Sequence, residues 1–265
     1  MGDTDKTSSS GRWWEYYFIR YFFGTVIGAA LVALFGESIE PLKKLIPSLL
    51  SDPHTGGAKD FTILASCGLA YCYVASAPML VLHTMRVELF AIFGASKPLN
   101  KSESRLSVDF SNFLWLPSIG LILFSISIIG YVAYRGWSTS HIGIICLVFI
   151  VLGQLGLIIG AHLNKFTAIR QFYKNLSRAR TAPAARDYIE SYRHLREHSN
   201  AYSIIILEFI LAPAVMAAKE PWTLTLVALV WLGPAGYCWL IASLLEAEFA
   251  NSFDSEPTKQ LGTLD

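Results

Sequence analysis

Apolar residues along this chain gather into six runs, Tyr21 to Phe35, Phe61 to Leu82, Phe113 to Tyr134, Ile142 to Leu163, Ala201 to Ala218 and Trp222 to Leu245. Polar or proline-bearing segments separate them. A run of about 20 residues crosses about 30 Å of hydrocarbon at 1.5 Å per helical residue. The pattern therefore predicts an all-α, polytopic membrane bundle of about six transmembrane helices. The first run is the shortest, so arrangements of five or four spans, with that run or the last hairpin peripheral, are the alternatives. A cleaved signal peptide competes for the first run, but the run ends in Leu34, Phe35 and Gly36, without the small residues of a cleavage site, so it is expected to stay in the protein.

The polar segments carry their own signals. Met1 to Gly11 is Ser-rich and too poor in apolar surface to fold alone, and Lys6 stands where a myristoylation signal wants Ser or Thr. Trp13, Trp14, Tyr16 and Tyr17 suit a headgroup-level aromatic belt. Pro41, Pro47, Pro53 and Gly56-Gly57 make residues 36–60 a loop with at most a short interfacial helix from Leu42 to Leu50. Pro78 predicts a kink near Ser76 to Pro78, and Gly233, Pro234 and Gly236 predict a break or hinge in the last run. The chain thus divides into a disordered tail at 1–11, transmembrane helices one to four within 12–163, a polar stretch at 164–200, helices five and six within 201–245, and a tail at 246–265.

Composition agrees with the membrane class. Of 265 residues, 53% are apolar and 15% charged, against about a quarter charged in a soluble domain. The net charge of +1 gives no bulk argument for nucleic-acid binding. Cys67, Cys72, Cys146 and Cys238 fall inside apolar runs without CxxC spacing, so they read as small core residues rather than a zinc site or a disulfide framework.

Charge distribution sets the topology. The stretch from Asn164 to Asn200 holds Lys165, Arg170, Lys174, Arg178, Arg180, Arg186, Arg193 and Arg196, eight of the 21 Lys and Arg residues. With six spans and both termini cytoplasmic, 16 of the 21 fall on the inside, as the positive-inside bias requires. Phe166, Ile169, Phe172 or Tyr173, and Leu176 recur at helical spacing, while Arg170, Lys174 and Arg178 repeat every four residues. Span four is expected to continue into water as one helix to near Thr181, where Pro183 disfavours helix at Ala182. A second helix from about Ala184 would run through Tyr188, Tyr192 and Leu195 into span five. Extensions of helices four and five would then form a basic cytoplasmic hairpin. Its basic residues, interleaved with Tyr173, Tyr188 and Tyr192, suit an anionic ligand such as a nucleotide or oligonucleotide, or an acidic protein. The competing readings are docking on anionic headgroups and charge that does no more than fix orientation.

Within the spans, Glu208 is the residue singled out, because an unpaired carboxylate at the centre of a membrane helix costs at least a few kcal/mol. It reads as a pore-lining or proton-accepting group, or as structural glue bonded to Gln154 of span four or Arg20 of span one. Gly24 with Gly28, and Gly156 with Gly160, are GxxxG pairs expected to pack helices closely. His194, Glu197 and His198 spell HxxEH, but no third ligand or substrate cleft accompanies them, so the match is read as chance. No P-loop, GxGxxG or nucleophile elbow is present in the sequence; no enzyme activity, metal or cofactor is expected.

These features point to a homo-oligomeric channel or pore in membrane lipid, expected in the bacterial inner membrane and gated through the basic hairpin. Membrane effectors of bacterial anti-phage defence are a fold-level analogy. A small-solute or ion transporter with a midplane site at Pro78, Pro234 and Glu208, and a non-catalytic anchor for a cytosolic partner, are the alternatives.

Overall fold

The computed structural model describes residues 13–38, 58–92, 107–136, 141–164, 166–173, 183–218 and 220–254, with side chains over 21–36, 61–85, 87, 114–135, 141–164, 166–173, 200–218 and 220–247. Every element among the described residues is helical: α1 (Trp13–Ser38), α2 (Ala58–Ala75), α3 (Ala77–Ile92), α4 (Ser107–Gly136), α5 (His141–Leu163), α6 (Pro183–Ala217) and α7 (Pro221–Asp254), with a short helical stretch at 167–173. Five stretches are long and apolar enough to cross a membrane: Phe61–Met85, Leu114–Arg135, His141–Leu163, Asn200–Ala217 and Pro221–Ala247. The chain is thus built as an α-helical integral membrane protein. These five are counted among the described residues; the first expected run lies in α1, where Tyr21–Gly36 is a shorter apolar stretch.

Outward-facing side chains fit that setting. Leu116, Phe149 and Ile142 are 70% exposed or more, an arrangement that water penalises and lipid tails accept.

Helix α5 is the hub. Ile144, Leu147, Val151, Leu155, Ile158 and His162 recur every three or four residues on its buried face. It packs against α6 and also against α3, α4 and α7. Helices α1, α2 and α6 form one group, which meets α5 through α6, while α7 packs against α3 and α4.

Glycine sets the tightest approaches. A methyl group added at Gly28 would stand 2.5 Å from the Gly68 carbonyl oxygen, and one at Gly68 would stand 2.5 Å from both the Ala29 nitrogen and the Thr25 oxygen. One at Gly24 would overlap the Cys72 sulfur. Tyr21 stacks on Tyr73 at 4.8 Å along the same seam. Gly24 and Gly28 therefore do pack a helix closely, onto α2. Gly156 does not: nothing lies within 4 Å of the Cβ position, and the expected pairing with Gly160 fails because only Gly160 is buried. The close approach of α5 comes from Gly143, whose added methyl would collide with the Pro213 carbonyl of α6.

The expected kink falls at Ser76, which separates α2 from α3. Pro78 has no N–H for the Val74 carbonyl, four residues back. The Trp231 indole N–H of α7 donates to that oxygen at 2.9 Å, so the break is stitched by a neighbouring helix. At Pro234 the outcome differs from expectation. Helix α7 runs unbroken from Pro221 to Asp254, with no hinge at Gly233 to Gly236 and with its helix reaching past Leu245 into the segment expected to be a tail.

Helix α5 also departs from expectation. It ends at Leu163 instead of continuing unbroken to Thr181, because the helix is interrupted before the short helical stretch at 167–173. The Phe166 N–H donates to the Ala161 carbonyl five residues back at 2.8 Å, and Phe166 takes a left-handed φ of 55°. That conformation costs a non-glycine residue about 1–2 kcal/mol, a cost offset by complete burial of the Phe166 ring, which contributes about 1.5–3 kcal/mol. The second arm is a continuous helix from Pro183 into the span, with proline suited to a first helical position. The expected interfacial helix at Leu42 to Leu50 lies outside the described residues.

Gly28→Ala forces backbone apart along the α1–α2 seam and is expected to lower stability by about 1–3 kcal/mol, whereas Gly156→Ala, placed in open space, leaves it unchanged or raises it slightly. Thermal melts of the two variants in one detergent check the contrast.

Candidate functional site

Glu208 lies eight residues into the Asn200–Ala217 span, about 12 Å along its axis, and is 0% exposed. Three helices enclose it. A methyl group at Gly24 of α1 would be 3.1 Å from Glu208 Oε1 and would overlap the Cys72 sulfur of α2. Only glycine lets α1 come this close to both.

Neither Glu208 oxygen has a nitrogen or oxygen partner among the described residues; the Cys72 thiol is the polar group that meets it. The backbone is better served. The Tyr71 hydroxyl donates to the Glu208 carbonyl at 2.7 Å, tying α2 to α6 at the level of the carboxyl group. Phe35 packs edge-on against the Tyr71 ring, with centroids 5.5 Å apart, and fixes the ring that carries that hydroxyl.

Gln154 is not the partner of Glu208. It is 4% exposed, and both amide atoms lack a hydrogen bond among the described residues. The reason is depth. Gly143 meets Pro213 where α5 and α6 run antiparallel, so Gln154 lies level with about residue 202, six residues or about 9 Å from Glu208 along the axis. Arg20, the other expected partner, is on the α1 backbone, and its side chain lies outside the described residues.

A second buried polar cluster was not legible in the sequence. His162, 2% exposed, places Nε2 2.6 Å from the Tyr237 hydroxyl, which donates to the Leu114 carbonyl at 3.1 Å. With the hydroxyl proton committed to Leu114, His162 Nε2–H is the donor to Tyr237, and Nδ1 has no partner among the described residues. Trp115 and Phe166 lie against the imidazole, both at 4.8 Å between centroids. Helices α4, α5 and α7 and the start of the basic stretch therefore meet at one side chain. A lone histidine at the end of an apolar run gives no hint of this, since its partners come from three distant segments.

The predicted basic site divides. Arg170 and Tyr173 lie on the short helix at 167–173, half-buried, and Ile169, next to Arg170, is fully buried. Lys174, Arg178 and Arg180 lie outside the described residues. Arg186, Tyr188, Tyr192, Arg193 and Arg196, like His194, Glu197 and His198, have a described helical backbone in α6 but no described side chain. At the opposite end of the bundle, Arg135 of α4 and Glu220 ahead of α7 pair at 2.8 Å; both are about half exposed, so the pair contributes little stability.

No protein-family model, curated protein or solved structure matches this chain. The functional reading therefore rests on these residues alone.

Tyr71→Phe and Trp231→Phe each remove one interhelical donor and leave a carbonyl without its partner, and each is expected to lower stability by about 1 kcal/mol. Melts of both variants check this.

Proposed function

We propose that this chain is an oligomeric membrane channel or pore, shut in the conformation described, which the basic stretch between α5 and α6 opens. One observation carries the reading: the start of that stretch is built into the bundle core. Phe166 and Ile169 are fully buried, and the Phe166 ring lies against His162, which is bonded to Tyr237 of α7. A pull on residues 167–173 would reach α4, α5 and α7 through one contiguous set of packed side chains.

Polar atoms sealed inside the bundle support a second, open arrangement. Ser125, Gln154, His162 and Glu208 all bury polar atoms that lack hydrogen-bond partners among the described residues. Each such group costs about 1–3 kcal/mol, and water reaching a separated helix pair would repay part of that. The ligand class we propose is anionic, a nucleotide, oligonucleotide or acidic protein, received by Arg170 and the basic residues that follow it in sequence. The orientation we propose has both termini and the basic stretch in the cytoplasm of a bacterial cell, on the positive-inside bias, and a role in anti-phage defence is the biological setting that such a gated pore would fit.

A transporter is the second reading, favoured by the break at Ser76, four residues from the Cys72 that meets Glu208. Broken helices beside a buried carboxyl group are how many transporters build a midplane site.

Ion flux from liposomes containing the purified chain distinguishes these. The expected result is low resting flux that rises when Phe166→Ala loosens the base of the basic stretch. Absence of conductance in the native chain and in Phe166→Ala, with saturable uptake that Glu208→Gln abolishes, would replace the channel by the transporter.

A further inference from the structure

A cavity of about 280 Å³ opens between the α1–α2–α6 group and α7, lined by Val32 and Phe35 of α1, Cys67 and Tyr71 of α2, Leu211 of α6 and Val227 of α7, among others. It lies within the length of the Phe61–Met85, Asn200–Ala217 and Pro221–Ala247 spans. Helix α7 touches α2 and α6 only sparsely, so the space is a gap between two packed groups. Its lining is almost wholly apolar. The one hydroxyl in it, that of Tyr71, is already given to the Glu208 carbonyl, which leaves only the weakly donating Cys67 thiol to orient a polar ligand.

Water does not fill such a space, because a buried water needs two to four polar partners. An apolar cavity of about 150 Å³ is large enough to take up benzene, and this one is nearly twice that. Ala70, exposed, and Cys67, half-buried, form part of the wall, so the cavity is open towards the outward face of α2. In a bilayer that face meets acyl chains.

We propose that this cavity is a binding site for one acyl chain of a membrane phospholipid, inserted between α2 and α7. The site has a consequence beyond filling space. Tyr71 is both part of its wall and the residue that clasps the Glu208 carbonyl, while Phe35 lies against the Tyr71 ring. An inserted chain presses the ring into the position that keeps the clasp closed, which makes lipid a ligand of the sealed state. The inference is read as binding rather than flux, so it survives or fails independently of the conduction reading.

Alkylation of the native thiols tests it without a substitution. Cys67 lines the cavity, whereas Cys146 on α5 is half-buried elsewhere and serves as an internal reference. The purified full chain is compared in delipidated detergent and in dioleoyl phosphatidylcholine nanodiscs, using a small lipid-permeant maleimide. The expected result is that lipid slows Cys67 several-fold more than Cys146. Ala228→Trp, which fills the cavity, should slow Cys67 in detergent to the same degree and remove the phospholipid that the native chain carries through mild delipidation in native mass spectrometry. Equal slowing of both thiols, or no retained phospholipid on the native chain, would overturn the proposal. If Ala228→Trp does not fold, the two thiol rates in the native chain decide the matter alone.

Discussion

A carboxyl group at mid-span, enclosed by three helices and without a nitrogen or oxygen partner among the described residues, is the constraint on which the rest of this structure depends. In lipid an ionised carboxylate costs about 3 kcal/mol or more at the helix centre, so the surroundings of Glu208 have to be tight enough to hold it out of both water and lipid. Gly24, Gly28 and Gly68 supply that tightness by letting the α1 and α2 backbones meet where any larger side chain would hold them apart. Tyr71 supplies the tie to α6. The seal is therefore made of backbone proximity and one hydroxyl.

Helix α5 connects that seal to the other half of the bundle. Gly143 brings one end of it onto the Pro213 backbone, five residues from Glu208 on α6, while His162 at the other end engages Tyr237, Trp115 and Phe166. One rigid helix thus touches the neighbourhood of the sealed carboxyl group and the base of the basic stretch. The positive φ at Phe166 interrupts the helix where the Phe166 ring enters the core, and Ile169 is buried just beyond it, so the start of the basic stretch is packed into the bundle.

Periodicity and span length made the helical membrane class legible, and proline chemistry located the break near Ser76. Glu208 stood out as a charged residue in an apolar run. Its surroundings did not, since Gly24, Cys72 and Tyr71 come from distant segments and their meeting depends on how α1 crosses α2. The GxxxG pattern was informative at Gly24 and Gly28 and misleading at Gly156, because glycine permits close packing but does not compel it. The interruption at Phe166 was hidden for a related reason: hydrophobic spacing alone favours unbroken helix through 166–173, whereas the structure breaks it where Phe166 is buried. Pro234, with a stronger breaker signature than Pro78, leaves its helix unbroken.

The most direct test of the sealed junction is aqueous access to position 208. A Glu208→Cys, Cys72→Ala chain in liposomes, treated with a small membrane-impermeant thiosulfonate, is predicted to stay unlabelled at rest and to become labelled when Gly28→Ala is added to part α1 from α2. Labelling at rest as fast as a cysteine placed at the exposed Glu220 position, or continued inertness with Gly28→Ala present, would contradict the account.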